Sequence, residues 1–146
     1  MVCLGNICRS PLAEGILKNK VTQKDLNWEV DSAGTGAWHV GNLPDRRSIA
    51  VAKKYGIDIT DQRARQFKTE DFQNFDLIFV MDASNYRNVL TMAPSTNGED
   101  KVQFIMNMVQ PGYNQVVPDP YHDNDGFEQV YQMLDTACDK IIEKYT

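Results

Sequence analysis

Cysteine, histidine and basic charge are all scarce in this 146-residue chain, and each shortage removes a class of protein. Only Cys3, Cys8 and Cys138 occur, an odd count that suits a reducing compartment better than a disulfide framework. His39 and His122 are the only histidines, which argues against a structural zinc site built from four Cys and His ligands. With 15 Lys and Arg against 20 Asp and Glu, the net charge is -5. Such a surface repels nucleic-acid phosphates, so no nucleic-acid partner is expected and any anionic substrate must be held by a local field. The longest strongly apolar run, residues 77–81, is far too short to cross a bilayer, and no membrane partner is expected. No charged-then-apolar leader opens the chain and no Asn-x-Ser/Thr acceptor occurs, so the expected setting is cytoplasmic. Internal repeats, low-complexity tracts and composition breaks are absent too. What is there, 42% hydrophobic, 24% charged and 10% aromatic residues, describes one globular domain over residues 1–146 with a continuous core.

Short apolar runs alternate with helical periods. Ser10 and Pro11 read as an N-cap and first helical residue, with Leu12, Ala13, Ile16 and Leu17 on one face, predicting a helix to about Lys20. "NWEVDSAG" alternates Trp28, Val30 and Ser32 and predicts a strand entering a loop. Residues 45–55 read as a helix closed by Gly56 in left-handed geometry. "FDLIFVMD", bounded by Asp76 and Asp82, has the continuous apolar run of a parallel strand covered on both faces, with a helix starting near Ser84. "KVQFIM" is a weaker last strand after a loop over residues 94–100. Phe127, Val130, Tyr131, Leu134, Cys138, Ile141, Ile142 and Tyr145 then recur at helical spacing behind Asp125 and Glu128 in capping-box positions. Alternating strands and helices imply an α/β fold: a small parallel sheet with helices on both faces and ligands beyond the carboxyl ends of the strands.

The stretch "VCLGNICRSP" lies in such a loop. A loop that ends at a helix N-terminus points backbone N–H groups inward and carries the positive end of the helix dipole, so it favours an anion. Gly5 allows a tight bend, and the Arg9 guanidinium can clasp two phosphate oxygens, a geometry lysine lacks. Thiols placed at helix N-termini beside cations ionise more readily than free ones, which pairs the anion cradle with a nucleophile, Cys3. Attack on a bound phosphate then requires a proton for the leaving oxygen, and the candidate acid is Asp119 in "VVPDPYHD". Thiolate, arginine and carboxylic acid together make a phosphomonoesterase that works through a phosphocysteine without a cofactor or metal.

In order along the chain, "VCLGNICRSPLAEG", "DSAGTGAWHVGNLPDRRS", "FDLIFVMDASN" and "PDPYHDNDGFEQVY" resemble the low-molecular-weight protein tyrosine phosphatases over nearly the whole length. Val2 before the cysteine and an acid downstream of it separate this pattern from other cysteine-dependent tyrosine phosphatases. The resemblance implies a three-layer sandwich around a four-stranded parallel sheet and phosphotyrosine-containing proteins as partners; no cofactor is expected, and a monomer is the guess for an oligomeric state the sequence leaves open. It casts Cys3 as nucleophile, Leu4, Gly5, Asn6, Ile7, Cys8 and Arg9 as the phosphate loop, and Asp119 as general acid and then base. Ser10 hydrogen-bonds the thiolate, Asn6 and Ser32 brace the loop, and Ile7, Trp38 and Tyr121 line the substrate pocket. Related arginine phosphatases tend to carry threonine where Ile7 stands, and related arsenate reductases use extra mid-chain cysteines absent here. Both remain alternatives, as does a phosphate-binding module without turnover.

Two departures stand out. Met1 and Val2 alone precede the nucleophile where the family has a longer apolar strand, so the first strand is expected to be truncated and its neighbours to lose main-chain partners. Gln62 occupies a position where the family often has a histidine in the network supporting the loop. Among the remaining signals, Cys8 reads as a loop residue, with a reversible Cys3–Cys8 disulfide left open. Cys138 and Trp28 read as packing, His39 and His122 as loop residues, and Lys18, Lys20, Arg63 and Arg65 as a solvated face.

Overall fold

The computed structural model describes residues 1–94 and 98–146, so part of the loop expected over residues 94–100 lies outside the described residues. At its centre is a four-stranded parallel sheet in the order β2-β1-β3-β4. The strands are β1 (Val2–Cys3), β2 (Ala33–Gly34), β3 (Ile78–Val80) and β4 (Val102–Phe104). Successive side chains alternate between the two faces of a sheet. Val2, Ile78, Val80, Val102 and Phe104 pack on Phe67, on Phe72 of α3 (Asp71–Asn74) and on Val89 of α4 (Ala83–Thr91). Cys3, Phe79, Met81 and Ile105 belong to the larger core with α1 (Arg9–Gln23), α2 (Arg46–Lys54) and α5 (Gly126–Tyr145). The result is the expected three-layer α/β arrangement.

The cores follow the sequence periods. Leu12, Ala13, Ile16 and Leu17 of α1 meet Phe127, Val130, Leu134, Cys138 and Ile141 of α5, all buried. Each large apolar side chain so buried stabilises the fold by roughly 1.5–3 kcal/mol before chain entropy is set against it. In α2 the Asp45 side chain caps the helix by accepting from Arg47 N, and Gly56 closes it at φ 80°. No helix among the described residues is long and apolar enough to cross a membrane.

Three local expectations are corrected. α1 starts two residues earlier than a Ser10 cap implies: Cys8 holds the N-cap position, and the Ser10 hydroxyl turns instead toward Cys3 and Asn6. Asp125 and Glu128 form no capping box, because Glu128 is drawn to Lys54 and Tyr55 of the neighbouring helix end. Residues 27–32 are not a strand despite their alternation; only Ala33–Gly34 joins the sheet. β1 supplies main-chain partners no further back than Met1, whose carbonyl accepts from Ala33 N at 2.9 Å. Beyond that point the two neighbouring segments border a groove of about 560 Å³, lined among others by Trp28, Phe75, Leu77, Ile141 and Tyr145.

Candidate active site

Residues 4–9 turn from the carboxyl end of β1 into the first turn of α1, and Asn6 makes the turn possible. Its φ of 58° is left-handed, a region asparagine tolerates better than most residues. Asn6 is 3% exposed, and its amide is saturated. Nδ2 donates to Ser10 Oγ at 2.8 Å and to Ser32 Oγ at 2.9 Å, while Oδ1 accepts from Arg65 N at 3.0 Å. Ser32 Oγ donates onward to Glu14 Oε1 at 2.6 Å, and Lys18 Nζ holds Glu14 Oε2 at 2.6 Å. Ser10 Oγ lies 3.0 Å from Cys3 Sγ. Since Ser10 accepts from Asn6, its own proton is free to point at the sulfur. A buried carboxylate is thereby linked through Ser32, Asn6 and Ser10 to a buried thiol.

The backbone around the loop is tied with equal care. Thr35 N donates to Cys3 O and Gly36 N to Leu4 O, both at 2.9 Å. Gly34 has to be glycine here: a Cβ would come within 2.9 Å of Leu4 O and 3.1 Å of Asn6 N. On the other flank Asp45 N donates to Ile7 O at 2.7 Å, and Ser48 Oγ to Cys8 O at 3.1 Å. Burial, with Asp45 nearby, pushes the Cys8 thiol up to about 12, so at neutral pH it is an uncharged core group. All three cysteines are free thiols.

Arg9 is the hinge between this loop and the next. It is 2% exposed, and Nη1 donates to Asp82 Oδ2 at 2.7 Å and to Val117 O at 2.9 Å. Among the described residues Nε and Nη2 donate no hydrogen bond, while Nη2 stands 3.8 Å from Asp119 Oδ2. The guanidinium is thus clamped at one corner, with a two-donor edge left for an anion. Asp119 is exposed and accepts from Tyr121 N at 3.1 Å. Tyr121 and Trp38 are 42% and 72% exposed, one beside each loop. The Trp38 ring lies over Gly36, where a Cβ would approach it to 1.9 Å. Leu4 is exposed and Ile7 half-buried.

Gln62 sits elsewhere than expected: its Nε2 donates to Pro11 O at 3.0 Å, outside the Asn6 network, and its buried Oε1 has no partner among the described residues. The basic residues read as a solvated face are also engaged. Lys20 pairs with Asp135 and Asp139, Arg65 with Asp31 and Asp71, and Arg63 donates to the carbonyls of Thr60 and Gln62. Sequence reasoning missed Asp82, Glu14 and Arg65 as parts of the site. Only Asp82 carried a signal, as an acidic residue at the carboxyl end of a parallel strand.

A strand-to-helix loop with a buried thiol at its base and an open guanidinium edge defines an anion-handling site on a three-layer α/β fold. The family model described as low molecular weight phosphotyrosine protein phosphatase matches residues 1–145. The low molecular weight phosphotyrosine protein phosphatase of Schizosaccharomyces pombe is 48% identical over 137 residues, 91% of this chain and 86% of that protein. Its Homo sapiens counterpart is 39% identical over 146 residues, 98% and 92% of the two chains. The crystal structure of a protein tyrosine phosphatase from Entamoeba histolytica superposes with a TM-score of 0.90 at 37% identity, covering 98% of this chain and 92% of that one. A Drosophila arginine phosphatase superposes with a TM-score of 0.92 at 34% identity, covering 99% and 95%. The chain belongs to the low molecular weight phosphotyrosine protein phosphatase family, and it is a phosphatase.

Proposed function

We propose that this chain hydrolyses phosphotyrosine on proteins through a phosphocysteine formed on Cys3, acting as a single-domain monomer in the cytoplasm. The observation that supports this reading best is the open edge of Arg9, aimed beside Asp119 while Nη1 is clamped by Asp82 and Val117. Backbone N–H groups of residues 4–9, the phosphate loop, and the Nε–Nη2 edge of Arg9 bind the phosphate oxygens and stabilise charge on them in the transition state. The Cys3 thiolate, hydrogen-bonded by Ser10, attacks phosphorus; the bond to the tyrosine oxygen breaks, and that oxygen takes the proton from Asp119. In the second step the Asp119 carboxylate takes a proton from water as the water oxygen bonds phosphorus. The sulfur–phosphorus bond breaks, freeing inorganic phosphate and the thiolate.

Trp38 and Tyr121 form the walls that accept the phenyl ring, and Ile7 at its base favours tyrosine over arginine. The experiment is metal-free hydrolysis of phosphotyrosine, phosphoarginine and phosphoserine peptides with chelator present, beside quenched-flow trapping of the phosphoenzyme. Tyrosine-selective turnover with phosphate trapped on Cys3, abolished in Cys3→Ser, is the expected outcome. Preference for phosphoarginine would move the substrate, and residual turnover in Cys3→Ser would move the nucleophile.

A further inference from the structure

Asp119 sits on a loop that holds itself together mainly by local turns. Tyr121 N donates to Asp119 Oδ1 at 3.1 Å, Asp123 N to Pro120 O at 2.9 Å and Asp125 N to Asp123 Oδ1 at 3.0 Å. The loop's start is anchored by Val117 N on Met81 O at 2.8 Å and by Arg9 Nη1 on Val117 O at 2.9 Å. Its far side is held by Arg47, whose Nη1 donates to Asn124 Oδ1 at 2.7 Å. The same guanidinium lies 4.5 Å from the Phe127 ring centre and 5.6 Å from that of Tyr121. Asp45 grips its other edge, with Nε to Oδ1 and Nη2 to Oδ2 both at 2.9 Å. Asp45 is itself bonded to the phosphate loop through its own N–H on Ile7 O at 2.7 Å. Only a planar, multiply donating side chain can serve carboxylate, amide and two rings together, and arginine alone has that fork.

We propose that Arg47 is the positioning residue of the acid loop, clamping residues 119–125 against the phosphate loop so that Asp119 and Tyr121 face the reacting phosphate. The proposal rests on the catalytic reading above and assigns Arg47 no contact with the reacting atoms. In phosphoenzyme formation, a residue that positions the acid matters where the leaving group needs a proton and little where it does not; the later hydrolysis, with Asp119 as base, is the same step for every substrate. It also leaves the phosphate loop's hold on phosphate intact.

The test compares wild type with Arg47→Gln on two substrates, a phosphotyrosine peptide and an aryl phosphate whose fluorinated phenol leaves without protonation. Inorganic phosphate serves as competitive inhibitor in both. Arg47→Gln is expected to lower kcat/KM on phosphotyrosine, which reports the steps up to phosphoenzyme formation, by about tenfold, a fraction of the ~10²- to 10⁴-fold available from a general acid. The kcat/KM on the fluorinated substrate and the phosphate inhibition should change by less than about twofold, on the scale expected where no acid is needed. Asn124→Ala should act in the same direction, and the double variant should be no worse than Arg47→Gln alone. Equal loss of kcat/KM on both substrates, weakened phosphate inhibition or an unchanged kcat/KM on phosphotyrosine each overturn the clamp. Should Arg47→Gln fail to fold, Asn124→Ala on the same two substrates decides alone. Wild-type inactivity on phosphotyrosine, or turnover by Cys3→Ser, instead defeats the catalytic reading and takes the clamp with it.

Discussion

Residues 4–9 and residues 117–125 meet at Arg9, yet they are held by different means. In the phosphate loop Asn6 is held by Ser10, Ser32 and Arg65, while the carbonyl of Leu4 accepts from Gly36 N after β2 and those of Ile7 and Cys8 accept from Asp45 N and Ser48 Oγ at the start of α2. In the acid loop Asp119, Tyr121, His122, Asp123 and Asn124 are all exposed, and most of their bonds stay within the loop. On the proposed mechanism, the cradle for the anion is therefore built into the fold and pre-organised, as charge stabilisation requires. Delivery of the proton would depend instead on a segment with few outside anchors. Damage to the first loop should cost stability and phosphate binding together, whereas damage to the second should cost turnover alone.

Asp119→Ala is the sharpest way to separate the two. Turnover of phosphotyrosine should fall by about 10²- to 10⁴-fold, while phosphate inhibition and the melting temperature hold, because the carboxylate is exposed. Steady-state kinetics with phosphate as inhibitor, run beside a thermal melt, check this; an equal loss of phosphate affinity would reassign Asp119 to binding. Asn6→Ala should do the opposite. It removes two buried hydrogen bonds and a part-buried one, and leaves a residue with no side-chain compensation at φ 58°, so urea unfolding should show a loss of about 2–4 kcal/mol, with weaker phosphate binding. Unchanged stability would mean the cradle is held by its backbone bonds alone. At the far end of the same network Glu14→Gln keeps an acceptor for Ser32 and loses the charge that pairs with Lys18. It should cost about 1 kcal/mol, read in the same unfolding experiment.

The same contrast explains what the sequence disclosed. Cys3, Asn6, Arg9 and Ser10 were legible because one strand-to-helix loop brings them together within eight residues. Asp119 was legible because it follows the last strand, on the same edge of a parallel sheet. The supports were not, since each is a meeting of distant segments: Glu14 with Ser32, Asn6 with Arg65, Asp82 with Arg9. Lys18 and Arg65 look like ordinary surface charges until the fold sets them beside buried carboxylates. Local signals failed where a tertiary partner outbid them. Ser10 gave up capping for Cys3, and Glu128 gave it up for Lys54 and Tyr55. Residues 27–32 carry a strand's alternation, yet only Ala33–Gly34 pairs with β1.

The last expected effect concerns pH and again falls on the buried side of the site. Cys8, in the phosphate loop, and Cys138, against α1, are pushed by burial from the ordinary thiol value of 9.0 to about 12. Between those values an unfolded thiol has released its proton while the folded one keeps it, so the unfolded state binds fewer protons and stability falls as pH rises. Each thiol contributes a slope of at most about 1.4 kcal/mol per pH unit, absent below pH ~9. The acid loop has no buried thiol and adds nothing to this slope. Urea midpoints measured from pH 8 to 10.5 should decline in wild type, and the decline should be shallower in Cys8→Ala and in Cys138→Ala even though both start from lower stability. Parallel curves for all three proteins would show that neither thiol is shielded as its burial implies.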